Sequence, residues 1–582
     1  MKVRLHTLAA ASCMLAVSAV GPAAAAEAPG AVPPAPGGSP TSVAVAAAQV
    51  AGAATGTNAA GLYLPAVAAV AARQAAGPVT GQGDRRLADA AQRRDFESVR
   101  TLIDEGVDVD APQADGATAL AWAVHRDDLA LADLLIRAGA GVNIANDLGV
   151  TPLMLASQNG GAPMVELLLE AGADPNAARP AGGTALMLAA RSGDAAVLRR
   201  LIAAGADIDA PTGGGHTALM WAVAERHVRA VNLLAEVGAD VHARTAVHTP
   251  PARTIVREAK VLSRFEAVNP AVLPRDGDQD PPRAEGGFTP LLYAILAGDT
   301  RIVRVLLAAG ADVDDAAPDG VTALMLALIK HHDETALVLL EAGADPKPAE
   351  AGFTALHLAS ATGSLAVAEA LLACGADPNA RLKRPQRLTN SFEIGVFTSP
   401  GSGRLTQIGS TPFLVAAKSA DARMMRLLAA AGGDPRLTTD DGTTALMLAA
   451  GLGKRAATDI TYYDWTEDKA VEALAAGIEL GLNVNVANAH GETALHAAAY
   501  HNATPVIDFL VDHGADIDAL NAAEQTPLRL AEGHLICCTT FVRHAEAAAR
   551  LRQLGADPEA GIQLTFGLTN YGDQGAPSAP PR

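Results

Sequence analysis

Apolar residues along this chain of 582 residues gather in short helical stretches that return at a fixed interval. In the unit from Gly183 to Asp207, Leu186, Leu188, Ala189 and Ala190 come first. Val197, Leu198, Leu201 and Ile202 follow at the spacing of one helix face. Ser192, Gly193 and Asp194 interrupt the two stretches. Thr184 precedes the first, where its hydroxyl can cap a helix. Gly193 can end that helix in a left-handed conformation, and Asp194 can cap the next. Gly205 ends the second helix, and the stretch 207–215, rich in Asp, Pro and Gly, predicts a tight turn. Each unit therefore predicts two helices and a connecting turn.

The anchor of this unit, Thr followed by Ala or Pro and then Leu, recurs. Copies begin at Thr118, Thr151, Thr184, Thr217, Thr289, Thr322, Thr354, Thr411, Thr444, Thr493 and Thr526. Most neighbours lie 33 residues apart, a period that predicts a stacked solenoid. Where Pro follows the Thr, at Pro152, Pro290, Pro412 and Pro527, it suits a first helical position.

The anchor, the mid-unit Gly and the closing Gly-Ala-Asp resemble the ankyrin repeat family. The resemblance implies an all-α solenoid of about twelve repeats over residues 84–560. Each repeat would hold two antiparallel helices and a projecting β-hairpin finger. The implied activity is protein binding by a curved surface of first helices and fingers, with no cofactor. Residues 85–110 lack the Thr and read as an N-terminal cap. The family often has His three residues after the Thr. His357 and His496 keep it, whereas Met154, Met187, Met220, Met325 and Met447 replace it. One Met per repeat reads as core filler rather than a soft-metal ladder. Trp122, Trp221 and Tyr293, four residues past their anchors, read as core replacements for Leu.

The period breaks in informative places. The repeats of 84–242, a cap plus four, are followed by an insertion over 243–283 carrying Arg244, Arg253, Arg257, Lys260 and Arg264. After the repeats of 284–380, a second insertion over 381–407 carries Arg381, Lys383, Arg384, Arg387, Phe392, Ile394, Val396 and Phe397. The basic residues read as a solvated loop, and the apolar ones either pack back or meet a partner. Repeats over 408–560 hold further insertions near 454–469 and 533–541. The first contains Tyr462, Tyr463 and Trp465, which read either as contact anchors or as cover for the adjacent repeat. The second, with His534, Cys537, Cys538 and His544 nearby, reads as a structural cap. Adjacent cysteines do not easily reach one tetrahedral ion together, so no metal is expected.

Composition narrows the function. The 49% hydrophobic content with 3% aromatics implies a core of Ala, Leu, Val and Met. A net charge of −19 argues against nucleic acid and against an anionic membrane surface as partners. Four cysteines make no disulfide framework. Residues 1–26 read as a signal peptide. Lys2 and Arg4 precede an apolar run from Leu8 to Val20, and Ala24, Ala25 and Ala26 offer cleavage after Ala26. The Ala/Pro/Gly-rich stretch 27–83 reads as a disordered linker, and 561–582 as a tail. A periplasmic or secreted monomer is expected.

Three functions compete. The favoured one is a non-enzymatic exported scaffold for a protein partner. Its candidate contacts are Asp147, Leu148, Asp319, Asp440, Asp441, His490, Phe392, Phe397, Tyr462, Tyr463 and Trp465. The second is a secreted effector that binds host proteins. The third is an enzyme, but no catalytic residue stands out. Gly213, Gly214 and Gly215 sit in a turn rather than a phosphate loop, and His331 to Glu334 fall where one helix meets the next.

Overall fold

The computed structural model describes residues 84–247, 286–347, 352–383, 386–387, 404–405, 408–452, 465–537 and 540–562; stretches 386–387, 404–405 and 534–542 are described by backbone alone. All of these lie in the compact unit Gly81–Arg582. Phe392, Phe397, Tyr462 and Tyr463 fall outside the described residues, as do the signal-like segment, the linker and residues 563–582.

Among the described residues, helices follow one another in twelve pairs. The first five are Arg86–Arg93 with Phe96–Asp104, Ala119–His125 with Leu129–Arg137, Pro152–Asn159 with Ala162–Glu170, Ala185–Ser192 with Ala195–Ala203, and Ala218–Ala224 with Val228–Glu236. The sixth to eighth are Pro290–Ala297 with Thr300–Ala308, Ala323–Ile329 with Asp333–Glu341, and Ala355–Thr362 with Leu365–Ala373. The last four are Pro412–Lys418 with Ala422–Ala430, Ala445–Ala449 with Glu467–Glu479, Ala494–Tyr500 with Thr504–Asp512, and Pro527–Glu532 with Ala545–Gln553.

The anchors act as caps. Thr118, Thr151, Thr184, Thr289, Thr322, Thr354, Thr411, Thr444 and Thr526 each accept, on the side chain, the N–H three residues on. Asp95, Asp128, Asp194 and Asp421 do the same for second helices, and Asp299 accepts the Arg301 N–H two residues on. Between the helices of a pair the backbone turns left-handed. Gly193 serves the fourth pair, at φ 77°, and a Cβ there would lie 2.5 Å from the His227 ring. Other pairs place Arg94, Asp127, Arg226, His331, Ala420 or Asn502 in that conformation, so Gly is not obligatory.

The core is built of Ala, Leu, Val and Met. Met154, Met187, Met220, Met325 and Met447 are buried, as is Phe413. Small Ala side chains at Ala189, Ala190, Ala222 and Ala294 let successive first helices pack closely. One expectation changes here: Trp122, Trp221 and Tyr293 are half-buried. Each ring packs on the core by one edge and finds a polar partner with the other, as amphipathic rings do.

The fingers are hairpins reduced almost to their turns, with single antiparallel bridges flanking two of them, Ala178 with Thr184 and Ala316 with Thr322. They are tight turns closed by backbone bonds between residues four apart, such as Asn146 N–H to Val150 (3.1 Å), Thr212 to His216 (2.9 Å) and Asn521 to Gln525 (3.0 Å). True strand pairing occurs in two insertions. Gln386–Arg387 pairs antiparallel with Arg404–Leu405, and His534–Cys537 with Thr540–Val542. Within the stretch read as an insertion over 454–469, the second helix of its pair already starts at Glu467. Thr466 caps it and Glu467 and Asp468 favour its N-terminus.

A ladder of side chains links the closing turns of consecutive repeats. Asn143 accepts the Asp174 N–H (2.8 Å) and donates to the Gly172 carbonyl (3.1 Å). Asn176 does so for Asp207 and Gly205, and Asn379 for Asp434 and Gly432. Asn485 repeats the arrangement with Asp516 and Gly514. Asp110, Asp209, Asp314 and Asp518 accept from Gly141, Asp240, Asp345 and Asp557.

Candidate protein-binding surface

The finger tips form one edge. The Asp147 N–H donates to the Asp115 carbonyl (3.0 Å), Gly213 to Ala181 (2.9 Å), Ala246 to Gly214 (2.8 Å), Asp440 to Ile408 (3.1 Å), Ala489 to Asp441 (2.8 Å) and Ala522 to His490 (2.8 Å). At these six places a repeat thus hands one backbone bond to the tip before it. The backbone groups are occupied by this relay, so the tips offer their side chains to a partner.

The candidate residues distribute along that edge. Asp147 is exposed, and Leu148 beside it is 43% exposed, an apolar side chain on a tip. Asp319 is half-buried and accepts the Val321 N–H (3.2 Å), so part of its acceptor capacity shapes its own turn. Asp440, Asp441 and His490 are exposed and stand on consecutive tips joined by the relay. Burial would raise the Asp441 pKa, but hydrogen bonds from Thr439 and Thr443 outweigh it and hold the carboxyl below its ordinary value, with the nearby His490 adding to the effect. Trp465 is half-buried and packs on the core, its indole N–H donating to the Ala449 carbonyl (3.0 Å), so it covers its own repeat.

Two basic residues read as part of solvated loops are instead bound. Arg244 donates to the Gly287 carbonyl (2.9 Å) and the Ala316 carbonyl (3.1 Å) and pairs with Asp315. The Asp315 side chain is 3% exposed and also takes the Thr289 hydroxyl. Arg381 donates to the Thr438 carbonyl (3.0 Å) and meets Asp440 at 3.4 Å. Each arginine stands at the start of an insertion and grips the finger beyond it. Nothing in the sequence tied Asp315 to a residue 71 positions away.

Sequence reasoning also missed an aromatic cluster on the fifth and sixth pairs. Tyr293 Oη lies 3.2 Å from His216 Nε2, and the His216 ring neighbours Trp221 and Tyr293. Phe288 packs at 5.7 Å from Tyr293, and the Arg191 guanidinium sits 5.7 Å over Trp221. Burial lowers the His216 pKa and raises that of Tyr293, so both groups are neutral near pH 7. This cluster combines half-buried rings with polar tips, the chemistry of contact anchors.

His357 and His496 are fully occupied within the fold. Nδ1 of His357 accepts the Thr354 N–H (3.2 Å), and Nε2 donates to the Ser410 carbonyl (3.1 Å). His496 repeats this with Thr493 and Gln525. Each ring ties one repeat to the next. Burial lowers the His357 pKa to about 4 and pushes His496 down too.

Among the described residues no group of three or more His, Cys, Asp or Glu is placed to hold a metal ion. No described helix is long and apolar enough to cross a membrane. His331 and His332 lie in the turn before Asp333, where His332 packs against Gly298.

No curated protein matches the chain closely enough to count as a relative. A family model described as ankyrin repeats (3 copies) matches residues 87–179, 164–245, 263–350, 291–381 and 465–553, well over half of the chain. Between the last two matches the helix pair Pro412–Lys418 with Ala422–Ala430 carries the same capped geometry. The chain belongs to the ankyrin repeat family, whose repeats are in general protein–protein interaction modules.

Proposed function

We propose that the protein is an exported, non-catalytic scaffold of about twelve repeats that binds a protein partner through its first-helix face and finger tips. The observation that carries this reading is the relay-linked edge, which leaves Asp147, Leu148, Asp440, Asp441 and His490 exposed along a structurally fixed line. Acidic tips on a chain of net charge −19 favour a partner with a basic or mixed surface. The half-buried cluster around Trp221 and Tyr293 supplies apolar contact area beside it. The basic start, apolar run and Ala24-Ala25-Ala26 support export and a periplasmic or secreted location, and the monomer suffices for the binding edge.

Crosslinking and capture with the mature chain from the exported fraction tests the binding face. The triple variant Asp147→Lys, Leu148→Ser, Asp440→Lys changes three exposed side chains. It is expected to keep wild-type circular dichroism and lose the captured partner. Undiminished capture moves the binding face away from the tips. The mass of the mature N-terminus tests export: a chain retaining residues 1–26 contradicts cleavage after Ala26.

A further inference from the structure

The ladder at the closing turns is interrupted three times. At its position stand His242 after the fifth pair, Lys347 after the seventh and Arg436 after the ninth, in place of Asn or Asp. Lys and Arg side chains have no acceptor, so neither can take an N–H from the next repeat. Among the described hydrogen bonds the amides of Asp312, Asp377 and Asn483, which correspond to the bonded amides of Asp174, Asp207 and Asp434, donate no such bond. The same three places disturb the period. At the first two the anchors are displaced, Thr217 and Thr289 standing 72 apart and Thr322 and Thr354 32; at the third, Thr411 and Thr444 keep 33, and the 16 extra residues lie inside the tenth pair, between Arg436 and the Asn483 amide it would serve. The junction between Thr354 and Thr411 is also lengthened, yet it keeps its rung through Asn379. A longer connection alone therefore does not remove the rung; the residue at the rung position does.

The three interrupted junctions are not equal. Across the first, Arg244 reaches Asp315, Arg226 lies 3.6 Å from Asp299, and Tyr293 meets His216. Across the third, Arg426 pairs with Glu479 at 2.9 Å and Asn488 reaches Thr443. Across the second, the side-chain link among the described residues is the Ser364 hydroxyl on Asp333 (2.7 Å).

We infer that the array is divided into four cooperative blocks, pairs one to five, six and seven, eight and nine, and ten to twelve, and that it opens first at the Lys347 junction. Stability in such arrays is a sum of repeat terms and nearest-neighbour terms, so an interface lacking a bond is where a solenoid separates. One net hydrogen bond corresponds to about fivefold in the local opening equilibrium. The blocks meet as stiff segments, and the partner-binding edge can change curvature at the Lys347 junction without unfolding a repeat.

Native-state hydrogen exchange on the full chain tests this. Protection at 375–379 is expected to be lower than at 172–176, 205–209 and 432–436. Lys347→Asn restores an acceptor on an exposed position and is expected to raise protection at 375–379 about fivefold while leaving 172–209 unchanged. Asn379→Ala is expected to create a new opening, lowering protection at 432–436 by a similar factor. Equal protection across all these turns in the wild type, or no response to Lys347→Asn, overturns the division into blocks.

Discussion

Two junctions in this solenoid face the same problem and answer it with different chemistry. Both must join one repeat to the next across an inserted finger. Between the fifth and sixth pairs the answer is charge: Arg244 on the buried Asp315, and Arg226 on Asp299, with carbonyls of the following finger completing the grip. Between the eighth and ninth pairs the answer is mostly neutral: the His357 ring on Ser410, the Asn379 amide on Asp434 and Gly432, and an exposed Arg381 reinforcing them. Charged links tolerate loss of the Asn rung but sense ionic strength. Neutral links ignore salt but require an unprotonated imidazole.

The largest expected separation of the two comes from His357. His357→Ala removes two bonds and leaves a hole in a fully buried site. It should weaken the eighth-to-ninth junction by about 3 kcal/mol, read as local opening in hydrogen exchange, with the fifth-to-sixth unchanged. Acid gives nearly the same effect without mutation. The folded pKa of His357, about 4, lies below its ordinary 6.5, so its stabilisation is present above 6.5 and declines as pH falls towards 4. At about pH 4.5 the loss is on the order of 2–3 kcal/mol, and it should vanish in His357→Ala. Over that range the other junction should lose only its His216–Tyr293 contact, because burial also lowers the His216 pKa, while its ion pairs hold. The hydrogen bond from Arg301 keeps the Asp299 carboxyl below its ordinary 3.8, so that contribution is lost only at lower pH.

Asp315→Ala should come next, opening the fifth-to-sixth junction by about 2 kcal/mol. It strips a partner from Thr289 and Arg244, and the half-exposed guanidinium regains water, which limits the cost. Arg381→Ala should cost about 0.5 kcal/mol, because Asp440 is solvated; parity with Asp315→Ala would erase the distinction drawn here. The smallest effect is salt. Raising NaCl from about 0.15 M to about 1 M shortens the screening length from about 8 Å to about 3 Å. It should loosen the fifth-to-sixth junction by a few tenths of a kcal/mol and leave the eighth-to-ninth alone.

Much of this was legible in the chain. Thr184 as cap, Gly193 as left-handed terminator and Val197, Leu198 and Leu201 as a buried face follow from local chemistry, and local chemistry repeats every 33 residues. The links across the insertions were not legible. Arg244 and Arg381 sat in basic runs that looked solvated, and only the closing of each insertion brings them against the next finger. Trp221 and Tyr293 carried the right spacing for core residues, but their polar edges require partners at the surface, which His216 and Arg191 supply. The acidic tips were legible as acidic; that a backbone relay fixes their line was not, because it depends on stacking.

The relay has a direction. In each described link the later tip donates to the earlier one, so the tip at Glu524 offers its carbonyl to the chain that follows. The N–H of Ile562 takes it, donating to the Glu524 carbonyl (2.7 Å). The chain just beyond the helix Ala545–Gln553 therefore carries the relay one step past the tip at Glu524, in the place where a further finger would make its bond.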